Sequence, residues 1–157
     1  MNYPHLAEQA ILEFLKRQTL ETLTQDANAQ RNIYKASDSP DGGWLGSQTK
    51  VKKPFVMIEC AEATPYAQPA GNEQCEMILY VVTQRDDESD GTHRARCAEI
   101  FGLFRTDNIA DLLSDHNGFT CEFMIIRDET SMTRTGRHLE STLRFTMFCA
   151  ALDIATA

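Results

Sequence analysis

The chain has 157 residues, the size of one domain, and its 42% hydrophobic and 24% charged content is ordinary globular composition that excludes disorder. Eight glycines and five prolines exclude collagen-like and low-complexity classes. A net charge of -8, from 15 basic against 23 acidic residues, argues against a nucleic-acid-binding face or an anionic-membrane anchor, which both need a basic surplus, yet it leaves room for a channel through which DNA passes without sticking.

The first expected element is a helix from about Pro4 to about Leu23. Leu6, Ala10 and Phe14 form one i, i+4 row, and Ala7, Ile11 and Leu15 form the next, so a single apolar stripe faces inward. Pro4 suits a first helical turn, where its missing N–H costs nothing. Asn28 to Arg31 reads as a break, and Asn32 to Lys35 as a short strand. Ser37 to Thr49 is a turn-rich loop without the order of a phosphate-binding loop, and its Trp44 is read as a packing or interface anchor. Strands are expected over Pro54–Ala61 and Gln74–Gln84, each apolar on both faces at its centre, which calls for cover on both sides.

The acidic turn Arg85–Gly91 leads into a second helix with Thr92 as its N-cap and Ala95, Ala98, Phe101 and Phe104 as its buried stripe. A short helical turn over Asn108–Leu113 and a turn at His116–Gly118 precede a strand over Phe119–Ile126. Arg127–Arg137 reads as a polar loop, expected to be mobile until it meets a partner, with Arg134 and Arg137 contacting carboxylates there. The last strand, His138–Ala150, shows the clearest alternation, with Leu139, Leu143, Phe145, Met147 and Cys149 in one register. The order predicts one α+β domain over residues 1–157: a mainly antiparallel sheet of about four to five strands, with two main helices packed on one face.

No catalytic machinery is legible. The five cysteines are scattered without a C-x-x-C pair and read as reduced core residues; only Cys97, beside Arg94 and Arg96, approaches the basic setting of a reactive thiol. The four histidines fall at element ends in no metal-binding spacing, and a G-x-S-x-G elbow is missing. Asp86, Glu88 and Asp90 imitate the start of a calcium loop, but its twelfth position is Cys97, so they read as a solvated turn whose cation binding stays open. The expectation is a non-enzyme with no cofactor and no metal. The N-terminus, Met1 to His5, carries no basic signal region, and the longest strong apolar run, Met77–Val82, is strand length, so neither export nor a membrane partner is expected.

The element order, with Asn32-Ile33-Tyr34, Lys53-Pro54-Phe55-Val56-Met57-Ile58-Glu59, Met77-Ile78-Leu79-Tyr80-Val81-Val82-Thr83, the helix at His93–Arg105 and the closing Leu143-Arg144-Phe145-Thr146-Met147-Phe148, resembles the tail terminator family of long-tailed bacteriophages, the U-type minor tail proteins and prophage tail-completion proteins. The resemblance is one of layout over roughly residues 4 to 150 and brings no catalytic motif. It implies a homo-oligomeric ring, typically a hexamer, that caps the tail tube, ends its polymerisation and joins it to the head connector, in the virion tail and, during assembly, in the host cytoplasm. Its partners would be its own copies, the tube protein and the connector protein, with DNA passing the lumen and no specific nucleic-acid binding. Arg127, Arg134, Arg137 and Trp44 are the interface candidates. A small-molecule-binding or dimerisation α+β module, with its pocket between sheet and helices, is the alternative.

Overall fold

Asn2 opens the first helix, α1 (Tyr3–Lys16), by accepting the His5 N–H on its side-chain oxygen at 3.2 Å, with Pro4 in the first turn. This belongs to a computed structural model that describes residues 2–18, 33–36, 55–65, 72–84, 89–114, 119–135 and 138–151. The expected stripe is the buried one: Ala7, Ala10, Ile11, Phe14 and Leu15 all face the core. The helix ends at Lys16, short of Leu23, and the Gln18 N–H closes a tightened last turn on the Leu15 carbonyl at 3.2 Å. Residues 19–23, the break at 28–31, the loop at 37–49 with Trp44, the turn at 116–118 and Arg137 lie outside the described residues.

Five strands follow: β1 (Ile33–Lys35), β2 (Phe55–Pro65), β3 (Glu73–Gln84), β4 (Phe119–Thr135) and β5 (His138–Ala151). They form one sheet in the order β1-β2-β3-β5-β4, with β1 parallel to β2 and every other pairing antiparallel. The predicted α+β class, with a mainly antiparallel sheet and its helices on one face, is the observed one. Strand alternation puts Val56, Ile58, Met77, Leu79, Leu143 and Phe145 under the helices. Lys35 also points to that side, and its Nζ donates to Gln9 Oε1 at 2.7 Å, tying the edge strand to α1. The opposite face has no helix among the described residues; there Met57 and Val82 are buried among Tyr34, Ala36 and Tyr80.

Helix α2 (Asp90–Gly102) departs from expectation twice. Its N-cap is Ser89, three residues earlier than Thr92, whose N–H Ser89 Oγ accepts at 3.1 Å. Its buried face carries His93, Cys97, Ile100 and Phe101, whereas Ala95 and Ala98 are exposed. The apolar period is right at Phe101 and Phe104, which are buried, and misses in the first half of the helix, where a histidine satisfied by hydroxyls from the sheet, with Cys97, completes the buried face in place of the alanines. A 3-10 turn (Leu103–Arg105) buries Phe104, and the short α3 (Ile109–Leu113) packs on the start of β4, where the Ser114 hydroxyl accepts the Cys121 N–H at 3.2 Å.

The polar loop expected over 127–137 is strand for most of its length. β4 continues to Thr135, pairing Asp128 with Arg144, Thr130 with Thr142 and Arg134 with Leu139. Register shifts between Cys121 and Phe123, Ile126 and Asp128, and Thr130 and Thr133 insert extra residues, and each resets the alternation that would reveal a strand in the sequence. The expectation of a loop is thereby corrected for residues 127–135, which run in the sheet's hydrogen-bonded ladder.

Candidate protein-protein interface

The far half of the β4–β5 hairpin lies beside α2, and an open groove of about 480 Å³ separates them. Arg94, Cys97, Ala98 and Phe101 form the helical wall, at i, i+3, i+4 and i+7 on one face, while Glu129, Met132, Arg134 and Ser141 are among the strand side. Ion pairs strap both ends: Arg134 bonds Asp90 at the start of α2, and Arg105 Nη2 lies 3.5 Å from Glu129 Oε2 beyond its end. Arg94 makes no ion pair or hydrogen bond among the described residues.

Below the groove sits a residue that the sequence reading missed. His93 is fully buried, with Nδ1 2.8 Å from Thr83 Oγ1 and Nε2 2.9 Å from Ser141 Oγ. Expected at an exposed element end, it instead joins α2 to β3 and β5; the available signal was its spacing, four residues before Cys97 and eight before Phe101. The Cys97 Sγ stands 3.5 Å from His93 Nε2, yet burial pushes this thiol up to about 11, the Ser141 hydroxyl opposing the rise. The pair therefore holds no thiolate at neutral pH.

Of the predicted interface residues, Arg127 and Arg134 fall on the hairpin but serve different faces. Arg134 is committed to Asp90 at the groove. Arg127, the extra residue of a bulge, crosses the helix-free face: its Nε donates to Thr146 Oγ1 at 2.9 Å, and that hydroxyl donates to Glu76 Oε2 at 2.8 Å. The structure thus does not gather them into one cluster. Asp86 and Glu88 lie outside the described residues, and among the described residues no group of three His, Cys, Asp or Glu could hold a metal ion. Arg134→Glu should lower unfolding free energy by no more than about 1 kcal/mol, because both partners are substantially exposed; a larger loss in urea titration would show that the strap stabilises the hairpin more than a surface pair can.

The helix-free face is acidic: Glu59, Glu62, Glu76, Asp128 and Glu140 share it with Arg127 and Arg144. Burial raises the Glu140 carboxyl, and burial followed by the neighbouring Glu59 raises the Tyr80 phenol to about 12. At one end of the face Phe123 stacks on Phe148 at 4.1 Å, and Phe123 is 46% exposed.

All five cysteines are free. Cys149 Sγ lies 3.9 Å from Cys75 Sγ; the Cys60 thiol is raised chiefly by its hydrogen bond to Cys75, Cys75 by its bond to Cys149, and Cys121 is pushed up to about 12 by burial. At pH 8 a raise from 9.0 to about 11 cuts the Cys97 thiolate roughly a hundredfold, so a disulfide reagent should label it slowly in the native protein and rapidly in guanidinium. The folded state holds these protons more tightly than the unfolded chain. Stability from them is therefore complete below pH 9 and falls as pH rises towards 11–12. Fast native labelling at pH 8 would contradict this.

No family model matches the chain, and no curated protein matches it. Among solved structures, a chain in the virion of a native gene transfer agent particle is similar to it, with TM-score 0.56 and 12% identity over 90% of this chain and 92% of that one. At that identity the likeness is one of fold, and it extends over nearly the full length of both chains. No helix among the described residues is long and apolar enough to cross a membrane.

Proposed function

We propose that the protein is a structural component of a phage-like particle: a tail terminator whose copies form a hexameric ring that caps the tail tube, stops its growth and meets the head connector. It works without catalysis, in the virion tail after assembly in the host cytoplasm. The observation that carries this reading is the fold shared, end to end, with a chain of a gene transfer agent virion. The acidic helix-free face supports it further. Turned to the lumen, that face repels phosphates and lets DNA slide without binding. Salt-sensitive DNA binding in a mobility-shift assay would count against such a lining.

The deciding experiment is negative-stain imaging of the protein alone at high concentration and of purified tail tubes incubated with it. Six-fold rings, or a closed cap on tube ends, are expected. Monomers alone in both preparations would overturn the reading.

A further inference from the structure

The groove beside α2 and the corner at α3 are complementary and lie apart on the same molecule. Leu112 is a large apolar side chain left 39% exposed, and the exposed Asp111 precedes it. Neither Asp107 nor Asp111 makes an ion pair among the described residues. The groove offers the reverse: exposed Ala98 and half-buried Met132 as apolar lining over the buried Phe101, and Arg94 as a cation that no described residue neutralises, on a chain of net charge -8. A single copy does not bring them together. α3 sits over Cys121 and the groove wall begins at Glu129; the two pair with Cys149 and Leu143, six positions apart along β5, about 20 Å at strand spacing.

We propose that the α3 corner of one copy docks into the α2–hairpin groove of a second copy, with Leu112 on Ala98 and Met132 and the Asp111 carboxylate on the Arg94 guanidinium. Two different patches meet, so the contact is head-to-tail; it propagates from copy to copy and closes a ring where the rotation allows. Apolar burial at the centre and a carboxylate–guanidinium pair at the rim give register as well as attraction. The contact deepens the ring reading but rests on patches that are present whether or not the ring closes.

The test mixes two full-length single variants, Ala98→Cys and Leu112→Cys, at high concentration with a short thiol-to-thiol crosslinker. A crosslinked dimer is expected from the mixture and from neither variant alone, since the native thiols are buried or partly buried. Adding Arg94→Glu to the first variant, or Asp111→Arg to the second, should cut the yield about tenfold, and the two reversals together should restore it. No dimer above the single-variant background, or reversals that never compensate, would overturn the proposal. Rings seen by microscopy without this crosslink would reject the contact and leave the ring standing; crosslinked dimers or open chains without rings would do the opposite.

Discussion

Phe104→Ala is expected to lower unfolding free energy by about 3–5 kcal/mol, the range for removing a fully buried aromatic ring. Phe104 stands where three elements meet. Its ring centroid lies 5.4 Å from Phe14 of α1, edge-on at 62°, and 5.3 Å from Phe145 of β5, stacked at 29°. Truncation would leave a void between a helix and the sheet that neither neighbour can fill without leaving the other. Phe123→Ala is the matched comparison. That ring also stacks on a phenylalanine, but it is 46% exposed on the helix-free face, so about 1 kcal/mol or less is expected. Urea titrations of both variants check the contrast; equal losses would show that the core does not centre on Phe104.

The same contrast separates what was legible in the sequence from what was not. α1 and the core registers of β2, β3 and β5 could be read because burial there is carried by apolar side chains at regular spacing: Ile11 and Leu15 on the helix, Leu143, Phe145 and Met147 on the strand. The hairpin past Ile126 could not. Its residues Asp128, Thr130 and Thr133 are polar on the helix-free face, and each bulge shifts the face by one. Pairing across the sheet, a long-range property, overrides the polar composition that reads as loop. Of the candidate interface, the sequence points to Arg134, which stands at the groove held by Asp90; Arg94, the cation on which the proposed contact relies, shows in the sequence only as a neighbour of Cys97.

Exposed alanines on α2 carry the same lesson from the other side. The sequence puts Ala98 in the core because an alanine three residues before Phe101 fits an apolar stripe. Its exposure leaves that face of the helix open at the groove, while burial falls to a polar residue whose hydrogen bonds come from strands distant in sequence. A single chain records the spacing of His93 but not the hydroxyls that will meet it.

His93→Ala is expected to be of similar severity to loss of Phe104, on the order of 3–5 kcal/mol, through a different mechanism. The imidazole fills buried volume between α2 and the sheet, and it serves two hydroxyls: one ring nitrogen donates and the other accepts, with Thr83 and Ser141 each able to take the complementary role. Removing it opens a cavity and strips a partner from Thr83, itself fully buried, and from Ser141. His93→Leu separates the two effects, since it retains most of the volume and loses only the hydrogen bonds. If unsatisfied hydroxyls dominate, His93→Leu costs about 1–3 kcal/mol alone and less in a Thr83→Val, Ser141→Ala background, where both orphaned groups are already gone. If the losses simply add, the hydrogen bonds contribute little and packing alone explains the histidine. The outcome also bears on the interface. His93 anchors α2 to β3 and β5 directly below the groove, so a variant that loosens this anchor while remaining folded should weaken the contact between copies, although no atom of His93 needs to touch the second copy.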